Sequence, residues 1–358
     1  MKRIDKGFIL PSAAFTIKRS QIKFYDLLDK SPRVGDLIYG RICRIGQHST
    51  LENAYGRIHM IYGGTRAVFV FGNRYAPDYY EGLVPEQIAD EIDLIARSGV
   101  VGIVKTKNAM IKDATKVKIL GYICDHSGKV LNTCDFPLIR PRTTIKKKPR
   151  AKMILVCGTS MNSGKSMAAA ACCWTLTSRG YKVRAAKVTG TASLKDILLM
   201  NDAGARPYAD FTYLGYPSTY LLPEDELLGI FNQLDLKYAN NPKNFWVVEI
   251  ADGVIQRETK ILLNSPEVRT RIHKLIFCAN DAFGAIGGLG TLAEFGLKPN
   301  ALSGVCSSSP LSIRELSAFT DIPVFSSAAP DMHGLAETLI GSNKNSKKDE
   351  ITTQTASR

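Results

Sequence analysis

The second half of the chain repeats one pattern, in which a short apolar run is followed by a loop and then by a helical stretch. Apolar runs of strand length occur at 153–157, 182–187, 245–250, 274–279, 301–306 and 322–326. Helices are predicted between them, for example at 164–179, 223–235, 285–296 and 310–319. This alternation is typical of a parallel sheet with helices on both faces and ligands at the carboxyl ends of its strands. We therefore predict an α/β domain over residues 153–341.

Residues 31–139 show a different pattern, in which short segments of alternating apolar and polar residues are separated by turns such as Gly63-Gly64 and Ser127-Gly128. Such spacing predicts a small, mainly antiparallel β domain of the OB type. Apolar residues spaced along Pro85 to Ser98 predict one helical insert in it. Residues 1–30 are predicted to form an N-terminal extension.

Two polar segments bound the α/β domain. Residues 140–152 are rich in Lys and Arg and form a predicted basic linker, which is either a solvated connection or a strip that meets nucleic acid or phosphate. Residues 342–358 are polar and lack aromatic side chains, so we expect a disordered tail.

One loop has the features of a phosphate-binding site. The apolar run at 153–157 leads into Gly158, and Gly164, Lys165 and Ser166 enter the next predicted helix. In such a loop, backbone N–H groups and the helix N-terminus face an anion, the lysine reaches the β- and γ-phosphates, and the serine hydroxyl meets Mg²⁺. Five residues separate the two glycines, one more than in the common pattern. The alternative is a Gly/Ser-rich turn without a ligand.

This long-spaced loop resembles the P-loop of the dethiobiotin synthetase group, which includes the ATPase domains of cobyric acid and cobyrinic acid amide synthases. The group belongs to the signal-recognition, MinD and BioD class of NTPases. Lys187 to Thr191 resembles its Lys-Pro-Val-x-x-Gly segment, and Val247 to Gly253 resembles its Val-Glu-Gly-Ala-Gly-Gly segment. Ala282 to Val305 is similar to its late helix and strand. The resemblance covers most of residues 153–330 and none of the N-terminal domain.

The resemblance implies ATP and Mg²⁺ as ligands and assigns roles to the matching residues. The catalytic residues would be Lys165, Lys187 and Glu249, with Lys187 approaching the transferred phosphate. The nucleotide would contact Gly158, Thr159, Asn162, Ser163, Gly164, Lys165, Ser166, Met167 and Ser307, the last standing near the place of the group's adenine-reading asparagine. Ser166, Glu249 and Asp252 would hold the metal. For Glu249 and Asp252 the alternative is a capped strand end.

A loop from Tyr213 to Tyr220 combines aromatic rings and hydroxyl groups in a Gly/Pro turn. It would either close over a small ligand or pack as an ordinary turn. The candidate substrate residues are Thr189, Thr191, Tyr216, Ser218 and Thr219. Asp196, Asp202 and Asp210 are further carboxylates that would join the metal site or serve as helix caps and solvated loop positions.

Charge and cysteine usage narrow the function classes. Residues 1–150 carry 26 Lys and Arg against 14 Asp and Glu, whereas the rest of the chain carries 21 against 19, so an anionic partner would meet the N-terminal part. In that part, Arg66 and Arg74 are interleaved with tyrosines such as Tyr79. This pattern predicts either a surface on which nucleic-acid bases stack or ordinary core and loop packing.

The eight cysteines show no C-x-x-C spacing and are expected to be reduced. Reduced cysteines predict a cytoplasmic protein, and the absence of a long apolar run predicts no membrane span.

Three functions follow from these features. The first is an Mg-ATP enzyme that passes the γ-phosphoryl group to a carboxylate or carbamate of a small molecule, as a ligase does. The second is an NTPase switch whose basic N-terminal domain binds nucleic acid or a protein. The third is N-acyl transfer. It follows because the segments GTSMNSGKS and EIADG also resemble an uncharacterised bacterial P-loop family that is related to a D-amino-acid N-acetyltransferase group. By resemblance, a homodimer is expected.

Overall fold

The protein folds around two sheets, one built from the N-terminal part of the chain and one from the rest. A computed structural model describes residues 1–5, 7–140 and 150–341. Most of the predicted basic linker and the predicted tail at 342–358 lie outside the described residues. Among those described, no helix is long and apolar enough to span a membrane.

Within residues 1–5 and 7–140, the structure contains eleven short strands. In chain order they are β1 (Lys2–Arg3), β2 (Phe24–Asp26), β3 (Leu37–Arg44), β4 (Thr50–Glu52), β5 (Ile58–Met60), β6 (Arg66–Phe71), β7 (Arg74–Tyr75), β8 (Tyr80–Leu83), β9 (Glu91–Leu94), β10 (Val100–Lys107) and β11 (Thr115–Cys124). Nine of them form one sheet, and β4 pairs with β5 in a separate hairpin.

Five of these strands close into a ring. β11 pairs with β3, β3 with β6, β6 with β10, β10 with β9 and β9 again with β11. All pairs in the ring are antiparallel except β6 with β10. The strands of the ring therefore pair in the mainly antiparallel way that was predicted. The OB type stays a prediction, because ring closure alone does not establish the OB strand order.

The helical insert predicted at Pro85 to Ser98 is wrong, since β9 lies there. Ile88, Ile92 and Ile95 have helical spacing, but β9 hydrogen-bonds to β10 on one side and to β11 on the other. Pairing on both edges satisfies the backbone of this segment, and this tertiary context overrides the local apolar pattern.

Residues 1–30, predicted as an extension, supply β1 and β2 to the N-terminal sheet. Phe8 and Ile17 are buried in the same apolar cluster as Tyr39 and Val70. Burial of such side chains removes apolar area from water and fixes this segment on the sheet.

The second sheet has six strands, which are β12 (Lys152–Gly158), β13 (Val183–Lys187), β14 (Tyr208–Asp210), β15 (Phe245–Glu249), β16 (Ile272–Cys278) and β17 (Ala301–Ser303). Its helices are α1 (Lys165–Thr177), α2 (Leu194–Asp202), α3 (Glu224–Tyr238), α4 (Arg257–Asn264), α5 (Pro266–Arg269), α6 (Ala282–Glu294), α7 (Pro310–Ser317) and α8 (Met332–Ile340). All strand pairs are parallel, in the order β14-β13-β15-β12-β16-β17. The predicted α/β fold with a parallel sheet is confirmed.

The central strands explain why the sequence forms this sheet. β12 and β15 are buried almost throughout, as expected of parallel strands covered on both faces. The strand predicted at 322–326 is reduced to one bridge between Leu302 and Val324. β17 is shorter than predicted, because Gly304 follows it with a φ of 102° and the chain turns into a 3-10 helix. The order of the sheet places the carboxyl ends of β12, β13 and β15 side by side.

We predict that the contact between α6 and β16 tolerates no added side chain at Gly288. A Cβ there would lie 2.2 Å from the ring of Phe277, whereas a Cβ at Gly290 on the same helix would have nothing within 4 Å. Gly288→Ala should lower the free energy of unfolding by about 1–3 kcal/mol through overpacking. Gly290→Ala should raise it by up to about 1 kcal/mol through helix propensity. Urea denaturation measures both, and equal effects would contradict the packing described for α6.

Candidate functional site

The loop between β12 and α1 has the geometry of a phosphate cradle. A Cβ on Gly158 would lie 2.7 Å from the carbonyl oxygen of Cys278, and one on Gly164 would lie 2.7 Å from the Cα of Gly304. Gly164 also has a φ of 91°, a conformation that favours glycine. Gly304 is equally confined, since its Cβ would lie 2.2 Å from the carbonyl oxygen of Ser163. Both glycines that the motif predicted are therefore required by the backbone.

Lys165 opens α1 and folds back over this loop. Its Nζ donates hydrogen bonds to the carbonyl oxygen of Ser160 at 2.6 Å and to Oγ of Ser163 at 3.4 Å. The side chain is 5% exposed, and no carboxylate of the described residues forms an ion pair with it. A buried ammonium held only by neutral oxygens is well suited to bind an anion.

A polar cluster stands beside the loop, at the ends of the neighbouring strands. Ser166 Oγ donates to Glu249 Oε1 over 3.2 Å. Lys187 Nζ lies 3.4 Å from the same oxygen and also forms an ion pair with Asp196 at the start of α2. Two residues predicted from sequence, Ser166 and Lys187, thus both contact a third, Glu249.

Burial and neighbouring charges shift the pKa values of these groups in opposite directions. Burial raises the pKa of Glu249, and the charge of Lys187 opposes it without cancelling it. For Lys187, burial lowers the pKa, but Asp196 and Glu249 outweigh burial, and the net pKa is raised. Burial also raises the pKa of Asp252. Lys187 therefore stays protonated and supplies a fixed positive charge.

The same cluster fits a magnesium ion. Oε2 of Glu249 is buried without a hydrogen-bond partner, and the Ser166 hydroxyl and the Asp252 carboxylate line the same cavity. These are hard oxygen ligands of the kind that Mg²⁺ takes together with phosphate oxygens. The described residues contain no group of three or more His, Cys, Asp or Glu that could hold a metal.

A cavity of about 550 Å³ lies between the loop and the N-terminal domain. One wall contains residues of the α/β domain, namely Asn162, Gly164, Lys165, Ser166, Met167, Lys187, Thr191, Lys195, Asp196, Glu249 and Asp252. The opposite wall contains Gln47, His48, Glu52, Arg74, Tyr79, Arg97 and Ser98. The sequence did not predict that this second wall belongs to the site. Only the interleaving of Arg74 and Tyr79 suggested a ligand surface there, and it suggested nucleic acid.

Hydrogen bonds between the domains hold the two walls together. The side chain of Asn162 in the loop donates to Asp78. Glu52 accepts from the backbone N–H of Leu194 at 3.1 Å, at the start of α2. The Tyr220 hydroxyl donates to Glu81 at 2.7 Å.

The other predicted residues occupy different places. Of the substrate candidates, Thr191 lines the cavity. Thr189 donates to the carbonyl oxygen of Ala251 at 2.6 Å, and the Thr219 hydroxyl accepts from the N–H of Gly190 at 2.9 Å. Ser218 forms a backbone bridge with Thr191, and Tyr216 packs against the apolar core of the α/β domain.

Two predicted nucleotide contacts, Thr159 and Ser307, are not among the residues that line the cavity. Ser307 donates to the carbonyl oxygen of Gly304 at 2.7 Å. Thr159 donates its backbone N–H to Cys278 at 2.9 Å, and its buried hydroxyl has no hydrogen-bond partner. Their roles at the nucleotide stay predictions.

Comparison with known proteins gives similarity of fold only. No family model and no curated protein matches the chain. The signal recognition particle receptor FtsY of Elizabethkingia anophelis in complex with GDP is 11% identical over 59% of this chain and 70% of that chain, with a TM-score of 0.37. The cell division protein FtsY of Thermotoga maritima is 16% identical over 59% and 75% of the two chains, with a TM-score of 0.33. No family model supports the dethiobiotin synthetase resemblance.

We predict that His48, in the second wall, makes stability depend on pH. Burial and the charge of Arg74 lower its pKa to about 4, against about 6.5 in the unfolded chain. Below pH 6.5 the unfolded state binds a proton that the folded state does not, so the stability that neutral His48 contributes is lost as the pH falls toward 4. The loss is on the order of 3 kcal/mol.

Urea unfolding of the wild type and of His48→Gln between pH 7 and pH 4 measures this contribution. The variant should lose correspondingly less stability on acidification. His126→Gln, at an exposed histidine of the same domain, controls for the loss of an imidazole. Parallel curves for wild type and His48→Gln would show that His48 is not the group responsible.

Proposed function

We propose that the protein is an Mg²⁺-dependent P-loop enzyme that transfers the terminal phosphoryl group of a nucleoside triphosphate, ATP in the first instance, to a carboxylate or carbamate oxygen of a small molecule. The observation that carries this proposal is the cavity. Lys165 and Ser166 of the loop share about 550 Å³ with Lys187 and Glu249, under a cover formed by the N-terminal domain. Cavities of this size are typical of small-molecule sites.

The residues of the chain have separate tasks in this reaction. The loop amides and Lys165 would bind the phosphates, with Lys165 exchanging the carbonyl oxygen of Ser160 for a phosphate oxygen. Lys187 would place its charge where negative charge develops during transfer. Ser166, Glu249 and Asp252 would hold Mg²⁺, which when bound neutralises phosphate oxygens. The N-terminal domain would exclude water and position the acceptor.

A nucleotide-dependent switch is the second candidate, and one contact favours it. Asn162 belongs to the loop and hydrogen-bonds to Asp78 of the N-terminal domain. A change in the loop on hydrolysis would therefore reach that domain directly. Under this function, the excess of positive charge in residues 1–150 would serve a nucleic-acid or protein partner. N-acyl transfer has no such contact in its favour, and the homodimer remains a prediction.

We predict that Lys165→Ala lowers nucleotide turnover by about 10²-fold or more, because it removes a buried charge that binds the phosphates. The measurement is ADP or GDP release from Mg-ATP or Mg-GTP. Lys243→Ala, at an exposed lysine ahead of β15, is the matched control and should leave the rate unchanged. A rate equal to that of the wild type in Lys165→Ala would exclude the loop as the reaction site.

The same assay separates the two functions when small carboxylates, amines, single-stranded DNA and RNA are added. A Lys165-dependent rate that rises only with small molecules supports phosphoryl transfer. A rate that rises only with nucleic acid, and falls as salt is added, supports the switch and rejects the transferase.

We further predict that Glu249→Gln weakens the dependence on Mg²⁺. The amide is a poorer ligand than the carboxylate for a hard cation, so the Mg²⁺ concentration for half-maximal activity should rise about tenfold or more. Glu294→Gln, at an exposed position of the same domain, is the control. An unchanged Mg²⁺ dependence in Glu249→Gln would place the metal elsewhere.

A further inference from the structure

We propose that the N-terminal wall of the cavity is a second anion-binding subsite, in which Arg74, Arg97 and Ser98 bind a carboxylate or phosphate group of the ligand that the loop site acts on. The inference rests on the proposed function for the presence of that ligand. The inference also specifies one chemical group of the ligand. This group is an oxyanion that points away from the loop and toward the N-terminal domain.

Arg74 is held in place for such a role. Its Nη1 lies 3.0 Å from Nε2 of His48, and its guanidinium carbon lies 5.1 Å from the centre of the Tyr79 ring. The rings of His48 and Tyr79 stack with their centres 5.5 Å apart. These contacts fix the plane of the guanidinium, and a fixed planar fork matches the two oxygens of a carboxylate or phosphate.

Arg74 is also a buried cation without a counterion. It is 7% exposed, and no carboxylate of the described residues lies within ion-pair distance of it. Asp252 acts on it only at longer range. A buried charge is costly unless it is paired, and an anion bound in the cavity would pair with Arg74.

Two neighbours extend the subsite. Arg97 lines the same wall, is half-buried, and makes no ion pair within the described part of the chain. Ser98 is 2% exposed, and its Oγ has no hydrogen-bond partner. One wall therefore carries two guanidinium groups and a hydroxyl without a hydrogen-bond partner. A bound oxyanion would accept hydrogen bonds from all three.

The position of the subsite gives it a function distinct from that of the loop. Lys165 and Lys187 line the opposite wall, and Lys187 is already paired with Asp196 and Glu249. A ligand that contacts both walls would hold the two domains together. In-line transfer requires the phosphoryl donor and the acceptor to be held in fixed positions, and such a ligand would be held from both sides. The oxyanion would come either from the acceptor or from the terminal phosphate of the nucleotide.

Isothermal titration of the full chain separates these sources. The variants are Arg74→Gln and Arg97→Gln, with Arg41→Gln at an exposed arginine of the same domain as the control. The probes are Mg-ADP, the Mg complex of the β,γ-imido analogue of ATP, and succinate and glutamate in the presence of Mg-ADP. We expect Mg-ADP to bind all variants within about twofold of the wild type, because the loop is intact. Lys165→Ala reports separately on the loop.

Either of two results supports the subsite. A tenfold or greater loss for succinate or glutamate, without a loss for the nucleotides, assigns the oxyanion to the acceptor. A tenfold or greater loss for the imido analogue, but not for Mg-ADP, assigns it to the terminal phosphate. Arg97→Gln, which changes a half-buried side chain, gives this answer even if Arg74→Gln does not fold.

The proposal is overturned if the folded variants bind every probe as the wild type does, or if the wild type binds none of the carboxylates and Arg97→Gln binds the imido analogue normally. Failure of Mg-ADP to bind the wild type would instead reject the proposed function. In that case succinate, glutamate and inorganic phosphate, titrated without nucleotide, still decide whether Arg74 and Arg97 bind anions.

Discussion

The ammonium of Lys187 lies between the carboxylates of Asp196 and Glu249, and the candidate site depends on this buried charge cluster. Ions taken out of water are stable only when they are paired with good geometry. The sheet provides that geometry, because parallel pairing sets Lys187 of β13 directly opposite Glu249 of β15. Ser166 connects the loop to the cluster, because its hydroxyl donates to the same oxygen of Glu249 that Lys187 contacts. A change in strand register would separate all three groups.

The N-terminal domain is coupled to this cluster through α2. Asp196 lies in the first turn of α2, and the N–H of Leu194, which opens that helix, donates to Glu52 of the N-terminal domain. The position of one carboxylate in the charge cluster therefore depends on a contact between domains. The cavity depends on both parts of the chain, because each supplies residues that line it.

The sequence predicted the α/β domain well for a physical reason. Buried parallel strands such as β12 and β15 are continuous apolar runs, and the glycines at 158 and 164 belong to a motif that is continuous in sequence. Glu249 and Lys187 could be located because each ends such a strand. Asp196 was only a weak candidate, since its role depends on where α2 packs. Arg74, Arg97, Ser98 and His48 could not be predicted as part of this site, because contact between residues about a hundred positions apart leaves no local pattern. The helix predicted over β9 failed for the same reason.

The contact between Gly164 and Gly304 constrains how the phosphate loop can move. On the side of β17 the loop has no free space, since the backbone of Gly304 lies against both Gly164 and the carbonyl oxygen of Ser163. The opposite side of the loop faces the cavity, where Asn162 contacts Asp78. Gly304 therefore blocks displacement of this loop toward β17. The contact between these two glycines therefore gives any motion of the loop a preferred direction, which is away from β17.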